Sequence, residues 1–300
     1  MIPEIHVVNV FAAGPRGGNP APIVVDAAGM SDAQMQDVAR RHGHESGFVL
    51  PPAAGSACDF SLRFWVPNHE MEMCGHATVG AVWLLDRLGR LPGDRLSIQT
   101  RSGRVEARIV ERDSGGAHVE ITQPPARVEA LPGSAAAQAE ILSILRITAN
   151  ELAAAPIRNA CTSRVKTLIP LKSPAALDAL RPDFRCVEQV CAQIGSTGLY
   201  PYAVADAKAR LFDARQFPKS SGYPEDAATG IAAAALAFGL LANGLVEADD
   251  RTIRVRQGRA MGCPSEIALR FRIDTAGRVC GCWLGGNVRF SKSAKNAAAE

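Results

Sequence analysis

The sequence predicts an α+β fold of two pseudo-symmetric domains, each a curled mixed or antiparallel sheet around one central helix. Two observations carry this prediction. The runs near residues 77–88 and 231–242 are apolar on all faces, so other elements of the fold must enclose each of them. Each run also follows a similar series of strands and loops, which indicates an internal duplication.

The first half begins with strands and one clearly delimited helix. EIHVVNVFAA and APIVVD have the pattern of strands, and the turn-rich GPRGGNP separates them. Next, Ser31 and Gln34 have the spacing of a capping box, and Gly43 is a natural C-terminal stop. A helix is therefore expected between them. The further strands expected before residue 124 are GFVLPP, FSLRFWVP, LSIQTRSGRVEARIVE and AHVEITQP.

The second half repeats strand and helix patterns before its own long apolar run. Matching Ala77-Thr78 to Ala228-Thr229 aligns the two central helices, and prolines in residues 124–134 predict a linker between the halves. The expected domains are residues 1–127 and 128–285. Residues 286–300 are expected to return to the first domain and to end in a disordered tail.

Composition excludes several classes of protein. The net charge is +3 and the basic residues are scattered, so no nucleic-acid surface is expected. The longest apolar run, residues 227–242, is shorter than the roughly 18 residues that cross a bilayer, so no membrane association is expected. The eight cysteines form no Cys-x-x-Cys pairs and no signal segment is visible, which predicts reduced thiols and a cytoplasmic location.

Glu45 is the first candidate for chemistry because it stands where a helix ends and a strand begins. At the edge of an apolar cleft, burial disfavours the ionised carboxylate and suits it to proton transfer near neutral pH. A solvated glutamate after a helix would explain the same pattern. The residue alone does not decide between the two.

Three further candidates stand at the starts of the two apolar helices. His76 and Cys74 precede the first helix, whose dipole disfavours an imidazolium and favours a thiolate. Asp226 occupies the corresponding position before the second. Capping or packing would also account for His76, and helix capping by a carboxylate would also account for Asp226.

Metal and cofactor sites are not expected. Cys74 and His76 are two residues apart, and no second Cys or His pair stands at the spacing of a zinc site. GPRGGNP lacks the phosphate-loop Lys-Ser/Thr and the dinucleotide-binding spacing. A two-thiol racemase would need a second cysteine before the second helix, where Ala227 and Ala228 stand instead.

Five stretches together carry a family resemblance. In order along the chain, they resemble motifs of the PhzF-like isomerases, relatives of diaminopimelate epimerase, over about residues 5 to 290: GNPAPIVV, HGHESGFVL, RFWVPNHEMEMCGHATVGA, FPKSSGYPEDAATG and RQGRAMGCPSEI. The resemblance implies a fold of the diaminopimelate-epimerase type, cofactor-free proton transfer on a small cyclic or amino carboxylic acid, and a homodimer.

The matched motifs also imply roles for single residues. Glu45 takes the place of the catalytic acid/base, and Cys74 is left a minor role. The supporting or substrate-binding residues implied are Asn19, Gly75, His76, Asp226, Thr229 and Gly230.

Two departures from the family pattern keep a second function open. The family commonly has serine where this chain has Ile231, and arginine where it has Cys263. Ile231 removes a hydrogen-bond donor and adds bulk near the expected site, so the substrate differs or turnover is lost. The alternative to an isomerase is thus a catalytically inactive protein of the same fold that binds small molecules or acts as a scaffold.

Overall fold

The computed structural model describes residues 3–291. The chain forms two compact units. Unit 1 contains the described residues up to Thr122 and those from Gly285 onward, and unit 2 is Gln123–Leu284. The predicted disordered tail lies, from residue 292, outside the described residues.

Strands and helices mix in both halves, which confirms the predicted α+β class. None of the described helices is long and apolar enough to span a bilayer. The α-helices are α1 (Asp32–His42), α2 (Gly75–Arg87), α3 (Ser134–Leu145), α4 (Pro174–Ala179), α5 (Phe184–Gln193) and α6 (Gly230–Ala242). The strands are β1 (His6–Val10), β2 (Asn19–Val24), β3 (Ser46–Leu50), β4 (Phe60–Trp65), β5 (Glu70–Met71), β6 (Arg95–Thr100), β7 (Gly103–Asp113), β8 (Gly116–Gln123), β9 (Arg127–Ala130), β10 (Arg158–Cys161), β11 (Val165–Leu171), β12 (Gly198–Asp206), β13 (Leu211–Ala214), β14 (Phe217–Pro218), β15 (Ile253–Gln257), β16 (Ser265–Ile273), β17 (Val279–Gly285) and β18 (Val288–Phe290).

Unit 1 is a mixed sheet around α2. β1 pairs antiparallel with β18 and β2, β2 runs parallel to β3, and β3 is antiparallel to β4. β4 pairs with β5 and β6, and β7 and β8 follow as antiparallel neighbours. α2 packs on β1, β2, β3 and β18, and its residues from Gly75 to Leu85 are all buried. The first apolar run is enclosed by strands, as predicted.

The other helix of unit 1, α1, begins and ends where the sequence predicts. The Ser31 hydroxyl accepts a hydrogen bond from the Gln34 backbone N–H, and the Gln34 side chain accepts one from the Ser31 N–H. Gly43 closes the helix in the left-handed conformation. The buried face of α1 packs on β2, β3 and β4.

Unit 2 repeats this plan around α6. β9, β10 and β11 pair antiparallel, β11 runs parallel to β12, and β12 pairs antiparallel with β13 and β14. β13 runs parallel to β15, which is antiparallel to β16. α6 packs on β9, β10, β11 and β16. Of its thirteen residues only Ile231, Leu241 and Ala242 are not buried, so the second apolar run is also enclosed.

Two details of the predicted organisation are wrong. Residues 124–134 are not a plain linker, because they contain β9, which pairs with β10. The predicted register of the duplication is also shifted. Cys74 is the N-cap of α2 and Thr229 is the N-cap of α6, so these two residues are equivalent. The start of each helix, and not the Ala-Thr pair that the two halves share, sets the structural register.

Candidate active site

Cys74 is held at the start of α2 by its backbone. It has an extended conformation, with φ −137° and ψ 108°, and its carbonyl accepts hydrogen bonds from the Thr78 N–H at 3.0 Å and the Thr78 hydroxyl at 2.8 Å. The thiol makes no capping hydrogen bond to the helix. The side chain is buried, so its sulfur contacts other side chains of unit 1 and not solvent.

Glu45 reaches α2 because β3 lies close to the start of that helix. A Cβ atom on Gly47 would lie 2.9 Å from Ile23 Cδ1 of β2 and 3.4 Å from Ala77 Cβ of α2, so the backbone of β3 packs directly against the first turn of the helix. Glu45 stands two residues before Gly47, between α1 and β3. The tight contact therefore brings its carboxylate to the N-terminus of α2.

Three reactive side chains meet at this point. The Cys74 thiol donates to Glu45 Oε2 at 3.4 Å, and His76 Nδ1 lies 3.4 Å from both the Cys74 sulfur and Glu45 Oε2. The side chain of His76 is 5% exposed and that of Glu45 is 21% exposed. A carboxylate, a thiol and an imidazole in mutual contact form a group that can take up, hold and release a proton.

The other predicted residues of unit 1 stand at the start of α2 and at the start of β2. Gly75 is the first residue of α2 and is buried. Asn19 begins β2, and Ile23 of that strand is paired in parallel with Gly47 of β3. Parallel strands begin at the same edge of a sheet, so Asn19 and Glu45 share that edge.

The start of α6 in unit 2 carries a hydrogen-bonded cluster of different composition. The Thr229 hydroxyl donates a short hydrogen bond to the Asp226 carboxylate. The Gln257 side-chain amide donates to the Asp226 carbonyl at 2.7 Å and to the Thr229 hydroxyl at 3.2 Å. Gly230 is the first residue of the helix and is buried. Asp226, Thr229 and Gly230, which the resemblance implies together, are therefore neighbours.

Gln257 and Tyr200 belong to this cluster and were not predicted. The Tyr200 hydroxyl donates to Gln257 Oε1 at 2.9 Å. Burial raises the pKa of Tyr200 well above its usual value, and the charge of Asp226 adds to the effect, so the phenol stays neutral. The alternation of β15 could have indicated Gln257. Ile253, Val255 and Gln257 are the three buried residues of that strand, so a polar side chain stands where the pattern calls for an apolar one.

Both departures from the family pattern lie beside this second cluster. A Cβ atom on Gly258, where φ is +77°, would lie 2.3 Å from the Cys263 carbonyl oxygen and 2.7 Å from that of Ala227. The loop with Cys263 therefore closes directly over the segment that precedes α6. Ile231 is the second residue of α6 and is partly exposed.

Unit 2 also contains a cavity of about 830 Å³ beside Glu225. Its wall includes Arg215, which donates to the Glu225 carboxylate at 2.8 and 2.7 Å, and Arg259, which pairs with Asp178. These ion pairs already neutralise the two guanidinium groups. Among the residues described, the wall includes none of the predicted site residues, so each of the two helix starts is considered as a candidate by itself.

Comparison with known proteins agrees with the resemblance. The family described as "Phenazine biosynthesis-like protein" (PhzC-PhzF) matches residues 8–282. The protein named "Uncharacterized isomerase YddE" of Escherichia coli O157:H7 is 32% identical over 277 residues, which is 91% of each chain. The trans-2,3-dihydro-3-hydroxyanthranilate isomerase of Pseudomonas chlororaphis is 29% identical over 88% of each chain. The predicted isomerase class agrees with the names of these relatives.

A solved structure confirms the fold. The crystal structure of a PhzF-family phenazine biosynthesis protein from Bacillus anthracis superposes with a TM-score of 0.84 over 96% of both chains, at 23% sequence identity. At this identity, the likeness concerns the fold and not the substrate. The predicted diaminopimelate-epimerase type of architecture is therefore supported independently of the motifs.

Proposed function

Because the chain belongs to the phenazine biosynthesis-like (PhzC-PhzF) family, we propose that it is an isomerase that moves a proton on a small cyclic or amino carboxylic acid. The observation that carries the proposal is the position of Glu45. Its carboxylate is partly buried and lies 3.4 Å from two further side chains that can exchange protons. The names of the relatives favour an isomerase over an inactive binding protein.

The proposed step is a proton transfer by Glu45. Its carboxylate takes a proton from a carbon next to a carbonyl or unsaturated group, and the electron pair of the broken C–H bond shifts into the conjugated system. The neutral carboxyl group then returns a proton to another carbon of the same molecule. Atoms and electrons balance within the substrate, so the step calls for no redox partner and is proposed to proceed without a cofactor.

The neighbours of Glu45 have supporting parts in this proposal. Gly75 and His76 are the first residues of α2, where backbone N–H groups and the helix dipole favour an anion such as the substrate carboxylate. Cys74 donates a hydrogen bond to Glu45 and orients it. Cys74 is not assigned as a second base, because the equivalent N-cap of α6 is Thr229. Asn19 is proposed to contact the substrate from the start of β2.

The cluster in unit 2 is assigned to substrate binding. Asp226 is fixed by Thr229 and Gln257, and an acceptor fixed in this way binds a hydroxyl or amino group without first losing freedom of movement. Gly230 is the first residue of α6, where backbone N–H groups have no partner within the helix, and it is proposed to contact the substrate through its N–H. The homodimer implied by the resemblance is also proposed, and light scattering of the purified chain tests it.

Deuterium incorporation tests the proposed function. Small chiral and cyclic carboxylic acids are incubated with the protein in heavy water, and incorporation is followed by NMR and mass spectrometry. We expect deuterium at a carbon close to the carboxylate of at least one acid. If wild-type protein binds one of these acids but exchanges no proton, the chain is the inactive binding protein that Ile231 and Cys263 left open.

A further inference from the structure

We propose that Glu45, Cys74 and His76 form a binding site for a zinc ion and that zinc reversibly inhibits the protein. The inhibitory part rests on the proposed function, whereas the binding part does not. The three potential ligand atoms are Glu45 Oε2, the Cys74 sulfur and His76 Nδ1, and each lies 3.4 Å from the other two. They therefore form a nearly equilateral triangle.

The size of this triangle fits tetrahedral zinc. With Zn–S near 2.3 Å and Zn–N and Zn–O near 2.0–2.1 Å, two ligand atoms at the tetrahedral angle lie about 3.3–3.6 Å apart. All three observed separations fall in that range. An ion placed above the triangle would reach all three atoms without a large movement of any side chain.

The ligand types also favour zinc over the commoner hard cations. A thiolate and an imidazole select zinc, whereas magnesium and calcium prefer oxygen ligands. Binding converts the thiol to a thiolate, its proton passes to solvent, and the thiolate and carboxylate together balance the two positive charges. Cys74 and His76 are buried, but the partly exposed Glu45 leaves a fourth position for water, as in zinc sites with three protein ligands.

Cys and His spacing along the chain gives no sign of this site. The third ligand, Glu45, precedes β3 and stands 29 residues before Cys74 in the sequence. Only the fold brings it to the start of α2. Zinc bound there would engage the same carboxylate oxygen that the proposed reaction uses. The ion would therefore stop proton transfer while it stays bound, and a chelator would restore it.

The chain offers an internal control for this site. Glu111, Asp113 and His118 form a second cluster of possible ligands, with His118 Nε2 at 2.8 Å from Asp113 and 3.9 Å from Glu111. Glu111 and Asp113 are exposed and the cluster contains no thiol. Cys280 is an exposed cysteine outside both clusters. His118→Ala and Cys280→Ser therefore report nonspecific metal binding.

Cobalt(II) absorption tests the site directly, because a tetrahedral cobalt–thiolate centre has visible and charge-transfer bands. Chelator-treated, reduced protein is titrated with Co²⁺, and Zn²⁺ is then added to displace it. We expect about one equivalent of Co²⁺ with these bands in wild type, His118→Ala and Cys280→Ser. Cys74→Ser should lose the charge-transfer band, and Glu45→Gln should bind at least about tenfold more weakly. Circular dichroism checks that each variant is folded.

The outcomes separate the two proposals. Absent bands in folded wild-type protein, or a charge-transfer band that survives in Cys74→Ser, would overturn the zinc site. On a substrate found by deuterium exchange, one equivalent of Zn²⁺ should lower the rate more than about tenfold, and chelation should restore it. Exchange that continues with zinc bound would overturn inhibition alone. Cobalt bands without exchange on any acid would leave the metal site standing and contradict the proposed isomerase.

Discussion

The starts of α2 and α6 have the same type of backbone conformation but carry different side chains. Both helices have thirteen residues, and both N-caps are extended residues that make no side-chain capping bond and are followed by glycine. The sequence is Cys74-Gly75-His76 in unit 1 and Thr229-Gly230-Ile231 in unit 2. A thiol and an imidazole in one unit are therefore replaced by a hydroxyl and an alkyl group in the other.

The side chains that surround the two helix starts also differ. In unit 1 the neighbour is Glu45, which can gain and lose a proton. In unit 2 the neighbours are the Asp226 carboxylate, which accepts a hydrogen bond from the Thr229 hydroxyl, and Gln257, a buried amide that accepts one from the Tyr200 phenol. The difference teaches that a duplicated scaffold can keep its helix starts while its two copies take different roles. The proposed function gives proton transfer to the first start and substrate binding to the second.

The largest expected effect is that of Glu45→Gln. The amide keeps the shape of the carboxylate but cannot accept the proton, so proton exchange should fall at least about 100-fold, while substrate affinity changes little. Exchange rate and dissociation constant are measured on the same acid. Glu188→Gln, an exposed glutamate on α5, is the matched control. An unchanged rate in Glu45→Gln would remove proton transfer from the α2 start.

Asp226→Asn should have the next largest effect, and on a different parameter. The variant loses the negative charge that is proposed to accept a hydrogen bond from the substrate, and hydrogen bonds to charged groups contribute about 1.5–3 kcal/mol. We expect KM to rise about 30-fold with kcat changed less than about threefold, as for a group that binds ground and transition states equally. A fall in kcat at constant KM would instead give both helix starts a part in the chemistry.

Much of unit 1 could be predicted because its signals are local. The capping box of Ser31 and Gln34, the stop at Gly43 and the apolar run of α2 each depend on residues close in sequence. Glu45 was predicted from its place between a helix and a strand, and the motif resemblance strengthened it. What local patterns did not show is that it would contact both Cys74 and His76.

The hydrogen-bonded cluster of unit 2 and the equivalence of the two helix starts could not be predicted from the sequence, because both depend on residues that are distant along the chain. Tyr200 and Gln257 are 57 residues apart, and each stands in a strand that would be equally regular without the other. The equivalence of Cys74 and Thr229 likewise required the two helix starts to be located. A short strand such as β9 was missed because prolines and a glycine surround it.

Cys74→Ser should have a small effect on exchange, below about tenfold or roughly 1.4 kcal/mol. The serine hydroxyl can still donate to Glu45, and the equivalent position of α6 already carries a hydroxyl in Thr229. The initial rate of exchange is measured beside that of Glu45→Gln. A loss from Cys74→Ser equal to or larger than that from Glu45→Gln would make the thiol the proton carrier.

The smallest expected effect concerns how tightly each central helix is enclosed. A Cβ atom on Gly80 of α2 would lie 2.9 Å from Val8 Cγ2 and 3.0 Å from Val10 Cγ2, whereas one on Gly239 of α6 would lie 2.2 Å from Leu168 Cδ1. Alanine at either position gains up to about 1 kcal/mol of helix propensity, and overpacking costs about 1–3 kcal/mol.

The two substitutions should differ although the closer contact is at Gly239. Leucine can move its terminal methyl by a change of rotamer, but β-branched valines on a strand have few alternatives. We therefore expect Gly80→Ala to lower the free energy of unfolding about 1 kcal/mol more than Gly239→Ala does, as measured by urea denaturation. A larger loss from Gly239→Ala would show that α6 is the more rigidly enclosed helix, so the binding start would rest on the tighter scaffold.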